Sequence, residues 1–349
     1  MTEISRIGLD TSKAVFTLHC VDQSGRAVLR VNLRRAQLLP FFKRQRAMVV
    51  AMEACGGSHH WARKLTALGH EVRLIPAQYV KPYLKRGKND RNDAEAICEA
   101  AGRPGMRFVL AKTEEQQAQA MVMKARRLFV DQRTQVINAL RGHAAEFGVI
   151  AGKGTGNVPP LLAAIAAETA IPATAREMFV VLGEQIDDLN HKIGLLEARF
   201  AAMHKANELS QMLATAPGIG PVIGLTFAIE VDPSAFASGR HLAAWLGLTP
   251  QEHSTGGKQR MGGISRAGNE RLRSLLVEGA MSVINAVERQ NSKLATPWLL
   301  GMLSRRPKKV VAVALANKMA RMIWAMMTRR EAWRAPAAMA AARRPAVVS

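Results

Sequence analysis

The sequence is short of cysteine, tyrosine and acidic charge, and each shortage removes a class of protein. Its three cysteines, Cys20, Cys55 and Cys98, share no CxxC spacing and are odd in number. That excludes a disulfide framework and a cysteine zinc site, and it suits buried thiols in a reducing compartment. The two tyrosines, Tyr79 and Tyr83, lie just before and within the basic run KPYLKRGK early in the chain, where packing or nucleic-acid contact suits them better than nucleophilic work. A tyrosine recombinase is therefore disfavoured. No uncharged apolar run reaches the ~20 residues of a membrane span, because the alanine-rich stretch from Val310 is interrupted by Lys318 and Arg321. The opening MTEISRIGLD lacks the charged-then-apolar order of an export signal. A cytoplasmic, nucleoid-associated location is expected, with no membrane partner.

Acidic residues number 27 against 49 Lys and Arg, leaving a net charge of +22. More than half of that excess lies after Pro250. A surface this one-sided gains from counterion release when it binds a polyanion, so nucleic acid is the expected partner. With 48% hydrophobic residues the chain can build real cores, and its 349 residues suffice for two domains with connecting helices.

The first hundred residues alternate strand and helix patterns. Residues 6–21 and 27–33 are rich in β-branched and apolar side chains, with Asp22-Gln-Ser-Gly25 as the turn between them. MVVAM at 48–52 reads as a buried strand, 58–68 as a helix ended by Gly69, and 71–75 as another strand before Pro76. Strands followed by strand–helix–strand units predict an α/β domain compatible with a ribonuclease-H-like, or RuvC-like, sheet.

The middle is helical. Phe179, Leu182, Ile186, Leu189, Ile193, Leu196, Phe200 and Met203 recur at alternating intervals of three and four, the a/d seam of a coiled coil. Residues 115–147 form a second long helical candidate, free to pair with this seam within the chain or between chains. The stretch 148–160 is expected to be a flexible connector, and its GKGTG lacks the spacing of a phosphate loop. From Leu209 short helices punctuated by glycine are expected, and 335–349 reads as a disordered basic tail.

Two constellations carry possible chemistry. Asp10 lies in GLDTSK on the first strand, Glu53 follows MVVAM, and Asp90 and Asp93 open a helix in KNDRNDAEAI, where i, i+3 spacing gives them one face. Asp90 and Asp93 would also suit simple helix capping. Asp10 and Glu53 sit beside apolar strands, where an unpaired carboxylate is costly. Four convergent hard oxygen donors would hold one or two Mg²⁺ ions for phosphoryl transfer.

The second constellation starts at PGIGP, which contains Gly218 and Gly220. It reads as a helix-hairpin-helix element, with backbone amides offered to a phosphate, rather than as a plain turn. QEHSTGG then forms an exposed polar loop bearing Ser254 and Thr255, surrounded by Lys258, Arg260, Arg266, Arg271 and Arg273. A hydroxyl there could attack phosphorus if its proton has an acceptor.

GLDTSK, VVAMEACGG and KNDRNDAEAI, in that order, closely resemble the RuvC-like domain of the "DEDD" insertion-sequence transposases. PGIGP, GLTP, HSTGG and ISRAGNERLR resemble the same family's serine-bearing domain, and the likeness runs to about Trp333. It implies that Asp10, Glu53, Asp90 and Asp93 are the catalytic, Mg²⁺-binding tetrad and that a serine before glycine is the nucleophile. Counting from Pro250 favours Thr255, whereas counting back from Gly268 favours Ser254. Ser254 is preferred because HSTGG keeps serine there.

The resemblance further implies a structured noncoding guide RNA, or bridge RNA, acting on donor and target DNA. It also implies a homo-oligomer, a dimer or tetramer, for which the seam offers a contact. The expected domains are 1–110 RuvC-like, 111–208 helical and coiled coil, 209–334 serine-bearing and 335–349 tail. A metal-dependent DNA junction nuclease with a non-catalytic DNA-binding C-terminal domain is the alternative. A catalytically dead nucleic-acid-binding protein is disfavoured by four intact carboxylates.

Overall fold

The computed structural model describes residues 3–85, 89–289 and 294–334. The basic tail expected at 335–349 lies outside the described residues. The chain divides into two compact units, Met1–Gln117 and Ala118–Ser349.

In the first unit the elements run β1 (Arg6–Asp10), β2 (Val15–Val21), β3 (Ala27–Arg34), α1 (Leu38–Lys43), β4 (Val49–Glu53), α2 (Ser58–Thr66), β5 (Glu71–Ile75), α3 (Ala77–Val80) and α4 (Asp90–Ala101). The strand order is β3-β2-β1-β4-β5, antiparallel across β1–β3 and parallel from β1 through β4 to β5. The single stretch expected at 6–21 is two strands. Ser12 Oγ accepts the Val15 amide at 3.0 Å, a local side-chain bond that turns the chain where a ladder bond would have continued it. The Asp22 turn forms as its residues dictate, with Asp22 Oδ1 accepting from the amides of Ser24 at 2.9 Å and Arg26 at 3.0 Å.

Alternation along the strands decides what each face meets. Ile7, Leu9, Val50 and Met52 pack with Leu38 and Phe42 of α1 and with Trp61 and Leu65 of α2. The intervening positions face α4, where Ala51 packs with Ile97 and Ala100. Gly8 is required by that contact, since a Cβ there would lie 2.1 Å from the Ala94 carbonyl oxygen. Asp10 shares the parity of Gly8, and Glu53 shares that of Ala51, so both carboxylates are directed to the α4 side.

The second unit is mostly helical. It contains α5 (Glu114–Glu146, whose first residues belong to the first unit), α6 (Val158–Ala167), α7 (Ala173–Lys205), α8 (Glu208–Leu213), α9 (Pro221–Glu230) and α10 (Gly239–Trp245). These are followed by strands β6 (Pro250–Glu252) and β7 (Met261–Ile264), then α11 (Glu270–Glu288), α12 (Pro297–Leu303) and α13 (Lys308–Arg329). Helix α6 begins inside the expected connector, its two prolines, Pro159 and Pro160, accommodated in the first turn, where no backbone donor is needed.

The seam on α7 is buried within the chain. Arg126 of α5 pairs with Glu197 at 2.5 Å and Arg133 with Asn190 at 2.9 Å, while the rings of Phe147 and Phe179 stand 6.1 Å apart. Partners climb one helix as they descend the other, so α5 and α7 are antiparallel. Phe179 and Ile186 join Ile137 and Leu140 in one cluster, and Phe200 joins Ala120 and Met123 in another. The seam is therefore covered by its own chain, the first of the two pairings its sequence allows.

Helices α8–α13 enclose a larger core. Helix α13 is long and apolar enough to cross a membrane by length and composition alone, but Val311, Ala316, Met319, Ala320 and Ile323 are buried in this core.

Candidate functional site: an acidic cluster and a serine hairpin

The acidic cluster forms where the parallel strands end. Asp10 closes β1, Glu53 closes the adjacent β4, and Asp90 and Asp93 occupy the first turn of α4. Asn89 caps that helix by accepting the Asn92 amide at 2.9 Å, so neither aspartate is needed as the cap. Asp10, Asp90 and Asp93 each offer a carboxylate oxygen within 4.8 Å of the others. Glu53 stands outside that set yet close enough to repel Asp10. Burial, followed by repulsion from Asp93, Asp90 and Glu53, pushes the Asp10 carboxyl up to about 6 from its ordinary 3.8.

These are hard oxygen donors crowded against their mutual repulsion, which is the donor set a divalent cation relieves. Glu95, two residues beyond Asp93 on α4, is already engaged by Lys85 at 2.5 Å and Arg30 at 3.2 Å, which draws it away from such a role.

The serine lies on a hairpin rather than in an irregular loop. Lys258 donates its amide to the Thr255 carbonyl at 3.1 Å, and the two residues between them, Gly256 and Gly257, have φ of 56° and 75°. Positive φ at both central positions is a type I′ turn, which glycine enters without steric cost and which matches the twist of paired strands. Gly-Gly at that spacing was the sequence signal for a hairpin.

Ser254 is half-buried on this hairpin and Thr255 is exposed. The Ser254 hydroxyl donates to Glu252 Oε1 at 2.7 Å and accepts the Arg260 amide at 3.2 Å. Among the described residues the Thr255 hydroxyl meets no hydrogen-bond partner. Glu252 was not anticipated, although its position two residues before Ser254 places both side chains on one strand face.

The surrounding cations separate into two groups. Arg271 pairs with the buried Glu230 at 3.0 Å, and Arg273 donates to the carbonyls of Leu246 at 3.0 Å and Ala267 at 3.2 Å. Both side chains are engaged within the fold. Lys258, Arg260 and Arg266 are exposed, and among the described residues their side chains have no partner. Arg266 is held at φ 54°, an unusual conformation for a side-chain-bearing residue, by a bond from its amide to the Gly247 carbonyl. A Cβ on Gly268 would lie 1.8 Å from the Trp245 carbonyl oxygen, so the turn displaying Arg266 is tightly packed from behind.

PGIGP also divides. At Gly218 (φ 77°) a Cβ would meet the Gly279 carbonyl at 2.9 Å, so this glycine serves contact with α11. Gly220 caps α9 and faces open space.

Comparison with known proteins covers both regions. A family model described as "Transposase", of the IS110 DEDD type, matches residues 7–148. A second, described as "Transposase IS116/IS110/IS902 family", matches residues 210–295. The chain is 49% identical over 333 residues to a Sinorhizobium fredii protein, y4pF/y4sB, which carries a provisional transposase name; the match spans 95% of this chain and 86% of that one. It is 39% identical over 337 residues to the transposase for insertion sequence element IS1111A of Coxiella burnetii, across 96% and 92% of the two chains. It is also 32% identical over 102 residues to the pilin gene-inverting protein of Moraxella bovis, across 29% and 31%. The chain belongs to the IS110/IS116 family of insertion-sequence transposases, enzymes that act on DNA.

Proposed function

We propose that this transposase cuts and rejoins DNA with Ser254 as nucleophile, supported by a divalent-cation centre built from Asp10, Glu53, Asp90 and Asp93. The observation that carries the serine assignment is the two-sided hydrogen bonding of Ser254 on an exposed hairpin that also bears Lys258 and Arg260. In the reaction a bond forms between Ser254 Oγ and phosphorus while the bond from phosphorus to a sugar oxygen breaks. The phosphoserine ester retains the phosphodiester energy, so the hydroxyl of a second strand can displace Oγ and reseal the backbone. Lys258, Arg260 and Arg266 would hold the scissile phosphate and its neighbours. The open amides at Gly220 and the first turn of α9, in a helix-hairpin-helix arrangement, would grip the backbone without reading sequence.

Strand order and the carboxylates at the parallel-strand ends support a RuvC-like, ribonuclease-H-like reading of residues 1–110, followed by a helical region at 111–208 and a serine-bearing domain at 209–334. Asp10, Asp90 and Asp93, with Glu53 beside them, would hold Mg²⁺, which supplies stabilisation of charge on the reacting oxygens. The name of the Moraxella bovis relative favours rejoining over hydrolysis, because a gene is inverted only when its ends are resealed. A noncoding RNA of the same element would choose donor and target; the +22 charge suits that polymer as it suits DNA. Pairing two DNA partners calls for a dimer or tetramer, assembled through a surface other than the α7 seam.

The test is strand exchange on labelled DNA by the Ser254→Ala and Thr255→Ala variants. Ser254→Ala is expected to abolish exchange with DNA affinity nearly unchanged, since many cations set that affinity. Thr255→Ala is expected to be mild. Exchange by the double variant would remove the serine mechanism, and free hydrolysed ends would point to a junction nuclease.

A further inference from the structure

A serine hydroxyl is a weak nucleophile until something takes its proton, and attack is efficient when the acceptor is already hydrogen-bonded to it. On this hairpin one group meets that geometric requirement. Glu252 Oε1 lies 2.7 Å from Ser254 Oγ and accepts its proton-bearing bond. The Arg260 amide donates to the same oxygen at 3.2 Å, so it cannot be the acceptor. With the amide occupying one lone pair, the hydroxyl hydrogen is directed to Glu252 and another lone pair remains for phosphorus.

We propose that Glu252 is the general base for the Ser254 nucleophile in strand cleavage and the general acid that restores its hydroxyl on rejoining. This assignment rests on the reading of Ser254 as nucleophile. In cleavage the Oγ–H proton passes to the Glu252 carboxylate as the Oγ–P bond forms and the bond from phosphorus to the sugar oxygen breaks. The departing sugar oxygen takes one proton from water and leaves as a hydroxyl. In rejoining, an incoming sugar hydroxyl attacks the phosphoserine and gives its proton to water. The Oγ–P bond breaks, and Glu252 returns the stored proton to Oγ. Nothing is oxidised or reduced, and the carboxylate is regenerated. The one-turn hairpin explains how this pair is placed without core packing. Glu252 lies at the end of β6, paired with Met261 of β7, and the tight Gly-Gly turn brings Arg260 back opposite His253, with its amide in reach of Ser254 Oγ.

The test measures the rate of covalent protein–DNA adduct formation in a single turnover at saturating DNA, in full-length protein with Mg²⁺ and the noncoding RNA of the same element. Glu252→Gln keeps an acceptor oxygen for the serine but cannot take its proton. The adduct rate is expected to fall by about 10²–10⁴-fold, with DNA affinity and melting temperature unchanged. Glu252→Ala is expected to lose activity similarly and to regain part of it when formate is added as a diffusible base. A purely structural bond would leave Glu252→Gln near the wild-type rate and give no formate rescue.

Peptide mapping of the wild-type adduct separates the two levels of the proposal. An adduct on Ser254 with an unimpaired Glu252→Gln variant would overturn the role of Glu252 alone. An adduct on Thr255, or none at all, would overturn the serine assignment and Glu252 with it.

Discussion

The acidic cluster and the serine hairpin are built in opposite ways. Asp10, Glu53, Asp90 and Asp93 come from three elements separated by long stretches of sequence, and sheet pairing with a close-packed helix brings them together. Glu252, Ser254 and Arg260 lie within nine consecutive residues, held by one turn. Asp10, Glu53 and Asp93 are half-buried and crowded by like charge, whereas the hairpin is exposed and holds Ser254 by local bonds. A cation centre requires the fold to hold carboxylates against their repulsion, so it needs a rigid scaffold. A nucleophile that must reach a polymer backbone needs access and one or two local bonds.

The sharpest way to break this comparison is at the cluster. Asp10→Asn and Asp93→Asn should each abolish Mg²⁺-dependent recombination while the protein stays folded. Near-normal turnover in both would leave the cluster without a catalytic role.

A large effect on stability, but of another kind, is expected in the helical region. Leu189→Asp places an unpaired charge at a position buried within the chain, which should cost about 3–5 kcal/mol. Urea unfolding would register this loss. A dissociated but equally stable protein would instead restore the seam as a protomer contact.

A moderate effect concerns pH. The Asp10 carboxyl ionises at about 6 in the fold and near 3.8 in its ordinary state. Between those values the folded chain holds a proton that the unfolded chain has released, so rising pH weakens the metal-free fold across that window. In metal-free buffer at pH 7, Asp10→Asn should therefore melt above wild type, and the gap should close toward pH 4. Stabilisation bought by losing activity is what a strained functional cluster predicts. A variant that melts at or below wild type at pH 7 would deny the cluster its strain.

The smallest effects distinguish the cations. Arg266→Ala should reduce the salt dependence of DNA binding by about one unit of log–log slope and leave stability unchanged. Arg271→Ala should lower the melting temperature, because it abandons the buried Glu230 carboxylate. The reverse pattern would mean the two have been assigned the wrong way round.

Legibility in the sequence followed the same division between local and distant causes. The strands at 48–52 and 71–75 and the helix starting at Asp90 were visible because alternation, Gly69 and a first-turn pair of aspartates are local signals. The break between β1 and β2 is hidden in the sequence, since the capture of the Val15 amide by Ser12 leaves no apolar break. In the polar loop, Gly256-Gly257 is the local signal for a tight hairpin turn, and only with that hairpin does Glu252 become visible as the partner of Ser254. The fold contacts of Arg271 and Arg273 are not legible in the sequence, because Glu230 and the Leu246 carbonyl, which engage them, are remote along the chain. The packing role of Gly218 was hidden for the same reason, as only the folded position of Gly279 reveals it.

The most direct measurement for the central claim is denaturing-gel analysis of labelled DNA after reaction, followed by peptide mapping of any protein-linked product. A covalent adduct on Ser254 that requires Mg²⁺ and disappears in Asp10→Asn is the predicted result. Free ends with no adduct, or an adduct that forms equally well in Asp10→Asn without Mg²⁺, would contradict a serine nucleophile working with the acidic centre.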